Sequence, residues 1–117
     1  MDISNNDRDQ LNKLSMKVLV HAGNARNFMV QSLEQIENQD NYAEAETLIK
    51  QANNEIVIAH GIQTSVLQKE ALGEPLTYSV LFCHAQDTLM TAQSEILIAK
   101  HLIKLFRTRT YGKKEAD

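Results

Sequence analysis

The residues that stop helices gather at two places in this chain, Asn38-Gln39-Asp40-Asn41 and Gly73-Glu74-Pro75. Everything between them reads with one period. Asn41 followed by Glu44 is a capping pair that opens a helix. Gly73 is a C-terminal stop, and Pro75 suits the first turn of the helix that follows. Asp7 with Gln10 is a weaker start signal near the beginning. These marks predict helices over 8–38, 41–72 and 76–107, followed by a basic C-terminal tail. The apolar residues agree, stepping by threes and fours. Helix one carries Leu11, Leu14, Val18, Ala22, Ala25, Met29, Leu33 and Ile36. Helix two carries Ala45, Leu48, Ala52, Ile56, Ala59, Val66 and Leu67, and helix three Val80, Cys83, Met90, Leu97, Ile98, Leu102 and Leu105. Each set is the stripe of a helix packed along its length, and short joints make successive helices antiparallel neighbours. The expectation is an all-α fold, an antiparallel three-helix bundle.

Composition narrows the function classes. At 117 residues the chain is one domain. Aromatics at 5% and no tryptophan argue against a sheet protein, since strands favour aromatic and β-branched residues. A net charge of −3 counts against nucleic-acid binding. The dense basic stretch from Lys100 through Arg107 and Arg109 to Lys114 reads as a solvated helix end that complements the dipole. The single cysteine, Cys83, excludes an internal disulfide framework and a Cys-based zinc site. No leader-like start and no apolar run of membrane length occur, so the expected location is the cytoplasm, with no insertion into a membrane.

Several polar residues are candidates for chemistry. The helix-three stripe, extended by its own spacing, runs Val80, Cys83, Asp87, Met90, Ser94 and Leu97, which puts a carboxylate where an apolar side chain is called for. A buried lone carboxylate must be protonated, paired or bound to a cation; alternatively the stripe rotates and Asp87 lies at its wet edge. His101 lies in the last turns of helix three and reads as structural. His21 precedes the small run Ala22-Gly23-Asn24-Ala25 and reads as a packing residue, while His60, with Gln63 and Thr64, suits either a groove or a satisfied helix interface. His84 has different company. With Asp87 and Thr88 at i+3 and i+4 it shares one side of the helix with a carboxylate and a hydroxyl, which suits either an oriented imidazole or a structural hydrogen-bond cluster. Glu-x-x-His pairs, His-Glu-x-x-His, a P-loop and a Gly-x-Ser-x-Gly elbow are all absent. Cys83 and His84 point about 100° apart and make a poor nucleophile pair.

The segment His84-Ala85-Gln86-Asp87-Thr88-Leu89-Met90-Thr91-Ala92 closely resembles the active-site signature of the lactose/cellobiose-type A components (enzyme IIA) of the bacterial phosphoenolpyruvate-dependent sugar phosphotransferase system. Ala22-Gly23-Asn24-Ala25-Arg26 is similar to that family's helix-one motif. Ala59-His60-Gly61-Ile62-Gln63-Thr64 and Glu70-Ala71-Leu72-Gly73 are similar to its helix-two motifs. The four blocks stand in order over nearly the whole chain.

The resemblance implies a three-helix protomer in a homotrimer of nine helices. It implies phosphorylation of His84, and Asp87 as one ligand per protomer to a structural Mg²⁺ on the trimer axis; Val80, Leu81, Gln86 and Thr88 are candidates to surround the histidine, with Gln86 and Thr88 in support. The implied partners are the histidine-containing phosphocarrier protein as donor and the sugar-specific B component as acceptor, in uptake of a disaccharide of the lactose, cellobiose or chitobiose class. Many members carry a second histidine where this chain has Thr88, which offers a hydroxyl but no positive charge. Two rival readings are a two-component histidine phosphotransfer domain, whose His-x-x-Lys-Gly pattern is absent, and a helical scaffold or regulator without transfer chemistry.

Overall fold

The structure is a computed structural model that describes the backbone of residues 3–116 and the side chains of residues 7–110. It has three helices, α1 over Ile3–Gln39, α2 over Tyr42–Ala71 and α3 over Val80–Ala116, laid side by side in a rod of 74 × 24 × 17 Å. The joint between α1 and α2 is two residues long. Asp40 turns the chain there in the left-handed region, at φ 50°, a conformation that Asp tolerates better than most residues. The Asn41 side chain accepts from the Glu44 N–H at 3.1 Å, as the capping pair predicts. Between α2 and α3, Gly73 at φ +96° closes α2. Its N–H bonds to the Glu70 carbonyl and the Glu74 N–H to the Lys69 carbonyl, which is the Schellman pattern that a glycine makes easy.

Two boundaries differ from expectation. Pro75 does not open α3, because residues 74–79 are irregular and the helix starts at Val80. Ser79 takes the capping role: its Oγ accepts from the Phe82 N–H at 3.1 Å, and its carbonyl accepts from the Cys83 N–H. The expected tail is also helical in backbone, since α3 continues to Ala116, and α1 begins ahead of Asp7. The basic side chains Lys113 and Lys114 lie outside the described side chains.

The core is thin and rich in alanine. Val18, Ala22, Ala25 and Met29 from α1 meet Ile49, Ala52, Ile56 and Ala59 from α2, and Ala85, Leu89, Ala92, Ile96, Ala99 and Ile103 from α3. Small residues let the helices approach closely, so burial is reached with few large side chains. The α1 and α2 stripes match those predicted, apart from Leu67, which is exposed. The α3 stripe does not. The core takes Phe82, Ala85, Leu89, Ala92, Ile96, Ala99 and Ile103, while Val80, Met90, Leu97, Ile98, Leu102 and Leu105 stand exposed. Both sets have helical spacing. Alanines carry little hydrophobic area, yet close packing selects them. Helix α3 is therefore apolar on two opposite faces, and the chain itself covers only one.

Candidate functional site

The start of α3 is held at a fixed height against α1. Besides capping the helix, Ser79 donates from its Oγ to Asn12 Oδ1 at 2.7 Å, and Phe82 packs with Leu11 and Val66. Ala85 and Leu89, both with no exposure, then seat the next turns in the core. His84 lies between these anchors and is exposed. Its imidazole is thus presented to solvent by a helix that is fixed on either side of it.

Outside the core row, the side chains around α3 fall into three rows, as about 100° per residue allows. His84, Thr88, Thr91 and Glu95 form the first, and it runs along α1, because Glu95 pairs with Arg26 of α1 at 3.1 Å. Gln86, Met90, Gln93 and Lys100 form another, along α2. In it Lys100 Nζ donates to Asn53 Oδ1 at 2.8 Å, and the Gln63 amide approaches Met90 Sδ at 3.9 Å. Between them runs the uncovered face, with Val80, Cys83, Asp87, Ser94, Leu97, Ile98, His101 and Leu105.

His84, Asp87 and Thr88 do lie on one side of α3, as their spacing predicts. Among the described residues no hydrogen bond joins them, and Asp87 has no ion-pair partner there. Asp87 and His84 are exposed, and Gln86 and Thr88 half-buried, one on each flank. Asp87 occupies the middle of the uncovered face, where it is wet in the single chain. The other histidines are apart from this group. His21 pairs through Nδ1 with Glu55 between α1 and α2, where Asn24 also reaches Glu55. His60 Nδ1 lies 3.2 Å from Thr64 Oγ1 on α2, and His101 is exposed on α3.

Two open grooves flank the exposed face. One, of about 300 Å³, is lined by Arg8, Asn12, Tyr78, Ser79, Val80 and Leu81, one turn before His84. The other, of about 520 Å³, lies along α2 and includes Asn53, Val57, His60, Thr64, Gln68 and Gln93. Ser79 and Asn12, which set the height of the site, were missed in the sequence. A serine just ahead of Val80-Leu81-Phe82 was the available signal, overshadowed by Pro75.

Comparison with known proteins decides what this arrangement belongs to. Residues 13–107 match the family model of the PTS system, lactose/cellobiose specific IIA subunit. The chain belongs to this family. Among relatives of the IIA chain, the lactose-specific EIIA component of Lactococcus lactis subsp. lactis is 38% identical over 101 residues, covering 86% of this chain and 95% of that one. The oligo-beta-mannoside-specific EIIA component of Bacillus subtilis is 35% identical over 97 residues, with coverage of 83% and 87%. Among solved structures, the cellobiose-specific enzyme IIA from Bacillus anthracis has a TM-score of 0.78 at 34% identity, covering 85% of this chain and 90% of that one. PtcA from S. mutans has a TM-score of 0.81 at 29% identity, with coverage of 85% and 96%. The IIA chain is thus a phosphotransferase-system component by family and a helical bundle by structure. No helix among its described residues is long and apolar enough to cross a membrane.

Proposed function

We propose that the IIA chain is a phosphoryl carrier that accepts phosphate on His84 from the histidine-containing phosphocarrier protein and passes it to the sugar-specific B component. The observation that carries this reading is the placement of His84: exposed on a helix whose neighbouring residues, Ala85 and Leu89, are wholly buried. A carrier needs an imidazole that a partner can reach and that does not wander.

A neutral ring nitrogen of His84 attacks the phosphorus of the donor phosphohistidine. A new N–P bond forms as the donor N–P bond breaks, and the donor imidazole leaves. In the second step a cysteine thiolate of the B component attacks, an S–P bond forms, and His84 is released. Both transfers depend on in-line positioning more than on a base supplied by the carrier. Leu81, half-buried one turn before the histidine, offers apolar surface against which a partner excludes water and limits hydrolysis. Thr88, one turn beyond His84 in the same row, has a hydroxyl to donate to the phosphoryl group, whereas Gln86 lies across the uncovered face in the α2 row and does not reach it within one chain. The transported sugar is of the lactose, cellobiose or chitobiose class, and the names of the relatives, lactose, cellobiose and oligo-beta-mannoside, share β-linked sugars. The chain acts in the cytoplasm.

The same reading includes a homotrimer. Val80, Cys83, Asp87, Ser94, Leu97 and His101 on the uncovered face, with Met90 at its α2 edge, step by three and four in turn, the heptad spacing that packs α-helices on copies of themselves. Three α3 helices meeting on this face would make a nine-helix bundle. Asp87 then contributes one carboxylate from each copy. Three such groups repel unless a cation or protons intervene, and Mg²⁺ accepts carboxylate oxygens while keeping some of its waters. Among the described residues of one chain, no group of three acidic, histidine or cysteine side chains is placed to hold an ion, so a site on Asp87 would need the carboxylates of all three copies. The ion's contribution would be to neutralise the axis and hold the copies together.

Intact-mass measurement tests the carrier reading directly. The chain is mixed with phosphoenolpyruvate, enzyme I and the phosphocarrier protein, and peptides are mapped under alkaline conditions. One acid-labile phosphoryl group on His84 is expected. No adduct, with a competent control acceptor in the same tube, would reject the carrier in favour of a scaffold.

A further inference from the structure

Asp87 is not alone among the polar residues on the uncovered face of α3. Ser94 stands seven residues beyond it and His101 seven beyond that. Seven residues are close to two turns, so the three side chains stay within about 40° of one direction. Apolar side chains separate them. Met90, Leu97 and Ile98 lie between, and Leu105 follows, all exposed in the single chain.

We infer that His101 is the ligand of a second metal site, in which three imidazoles from three copies hold one transition-metal ion on the same axis as Asp87. This rests on the trimer reading, because a single chain supplies one histidine to the face. The remaining histidines do not share it. His21 is paired with Glu55, His60 lies on α2 beside Thr64, and His84 stands about 100° round α3 from His101.

The chemistry of the two layers differs. Three carboxylates bring negative charge and hard oxygen ligands, which suit Mg²⁺. Three imidazoles bring no charge when neutral and borderline nitrogen ligands, which suit Zn²⁺, Co²⁺ or Ni²⁺. Three nitrogens plus water complete the tetrahedral set that Zn²⁺ and Co²⁺ accept. The layers lie about 21 Å apart at 1.5 Å per residue, too far to share an ion. Leu97, Ile98 and Leu105 would shut bulk water out on either side of His101. Of the nearby cations, Lys100 is directed to Asn53 of α2, and Lys104 stands about 60° round the helix from His101.

The test uses the full chain in buffer that contains Mg²⁺. Sedimentation gives the mass, and Co²⁺ is titrated while its visible d–d absorption is followed. One Co²⁺ per three chains is expected, displaced by Zn²⁺ and indifferent to further Mg²⁺. Paramagnetic shifts and broadening should fall on the His101 ring. In His101→Asn, sedimenting as a trimer, the absorption should be lost. A wild-type trimer without the Co²⁺ band, or a His101→Asn trimer that keeps it, would overturn the site and leave the trimer standing. Should the variant fail to assemble, the wild-type ring resonances decide, and shifts on His21, His60 or His84 in place of His101 reject the assignment. A wild-type chain that sediments as a monomer overturns the trimer reading and this site with it.

Discussion

His84 gains its reach from what its neighbours bury. Phe82 and Ala85 turn inward, and the histidine between them must turn outward because successive residues lie about 100° apart. It makes no side-chain hydrogen bond among the described residues, so its removal leaves nothing buried without a partner. His84→Ala should therefore abolish phosphoryl labelling while far-UV circular dichroism and urea midpoint stay as in the parent chain. Ser79 is the opposite case. It is buried, caps α3 and bonds to Asn12. Ser79→Ala should cost about 1–2 kcal/mol through the lost cap and the unpaired Asn12 amide oxygen, read from urea unfolding. Labelling of His84 should slow in that variant, because the helix start is what sets the height of the ring.

Helix α3 carries two apolar rows, and the chain itself covers only the inner one. Its inner row is built from Leu89, Ile96 and Ile103 with three alanines. Leu89→Ala should cost about 2–5 kcal/mol, since the thin core has little room to collapse around the gap, and thermal unfolding would show it. The outer row behaves differently under the proposed function. Leu97→Glu places a charge on a side chain already 57% exposed in the single chain. Helical content should be unchanged and the sedimenting mass should fall, because three glutamates would meet in the assembly. An unchanged mass would show that this face stays wet. Asp87→Leu is the complementary substitution. Under the proposed axial site, it should leave the assembled mass intact and make stability indifferent to Mg²⁺, measured by melting with and without chelator; an Mg²⁺-dependent melt kept in this variant would reject Asp87 as the ligand.

For the whole molecule, the rod of 74 × 24 × 17 Å is thin for its length. A thin rod buries a smaller share of its surface than a compact domain of the same mass, and an apolar face left on α3 is the consequence. Assembly on that face would supply the missing burial. Stability should then depend on protein concentration, with the melting temperature rising as the chain is concentrated. A concentration-independent melt from micromolar to millimolar chain would count against an obligate oligomer. Because His84 lies on the α1 flank of that face and not at its centre, covering the face leaves the imidazole open to a partner.

Much of this was legible without coordinates. Local signals decide local structure, and Asn41 with Glu44, Gly73, and the stripes of α1 and α2 stand where the sequence puts them. The spacing of His84, Asp87 and Thr88 placed them on one side of a helix, and the resemblance of the block around them agrees with the family match. The start of α3 was not legible, because Pro75 is a stronger local mark than Ser79, and only the contact with Asn12, distant in sequence, selects the serine. Nor was the face that α3 turns inward. Its two apolar rows have the same period, and periodicity cannot rank them. The tertiary structure decides by closeness of approach, burying the row of alanines between α1 and α2 and leaving the larger side chains, with Asp87 among them, on the outside.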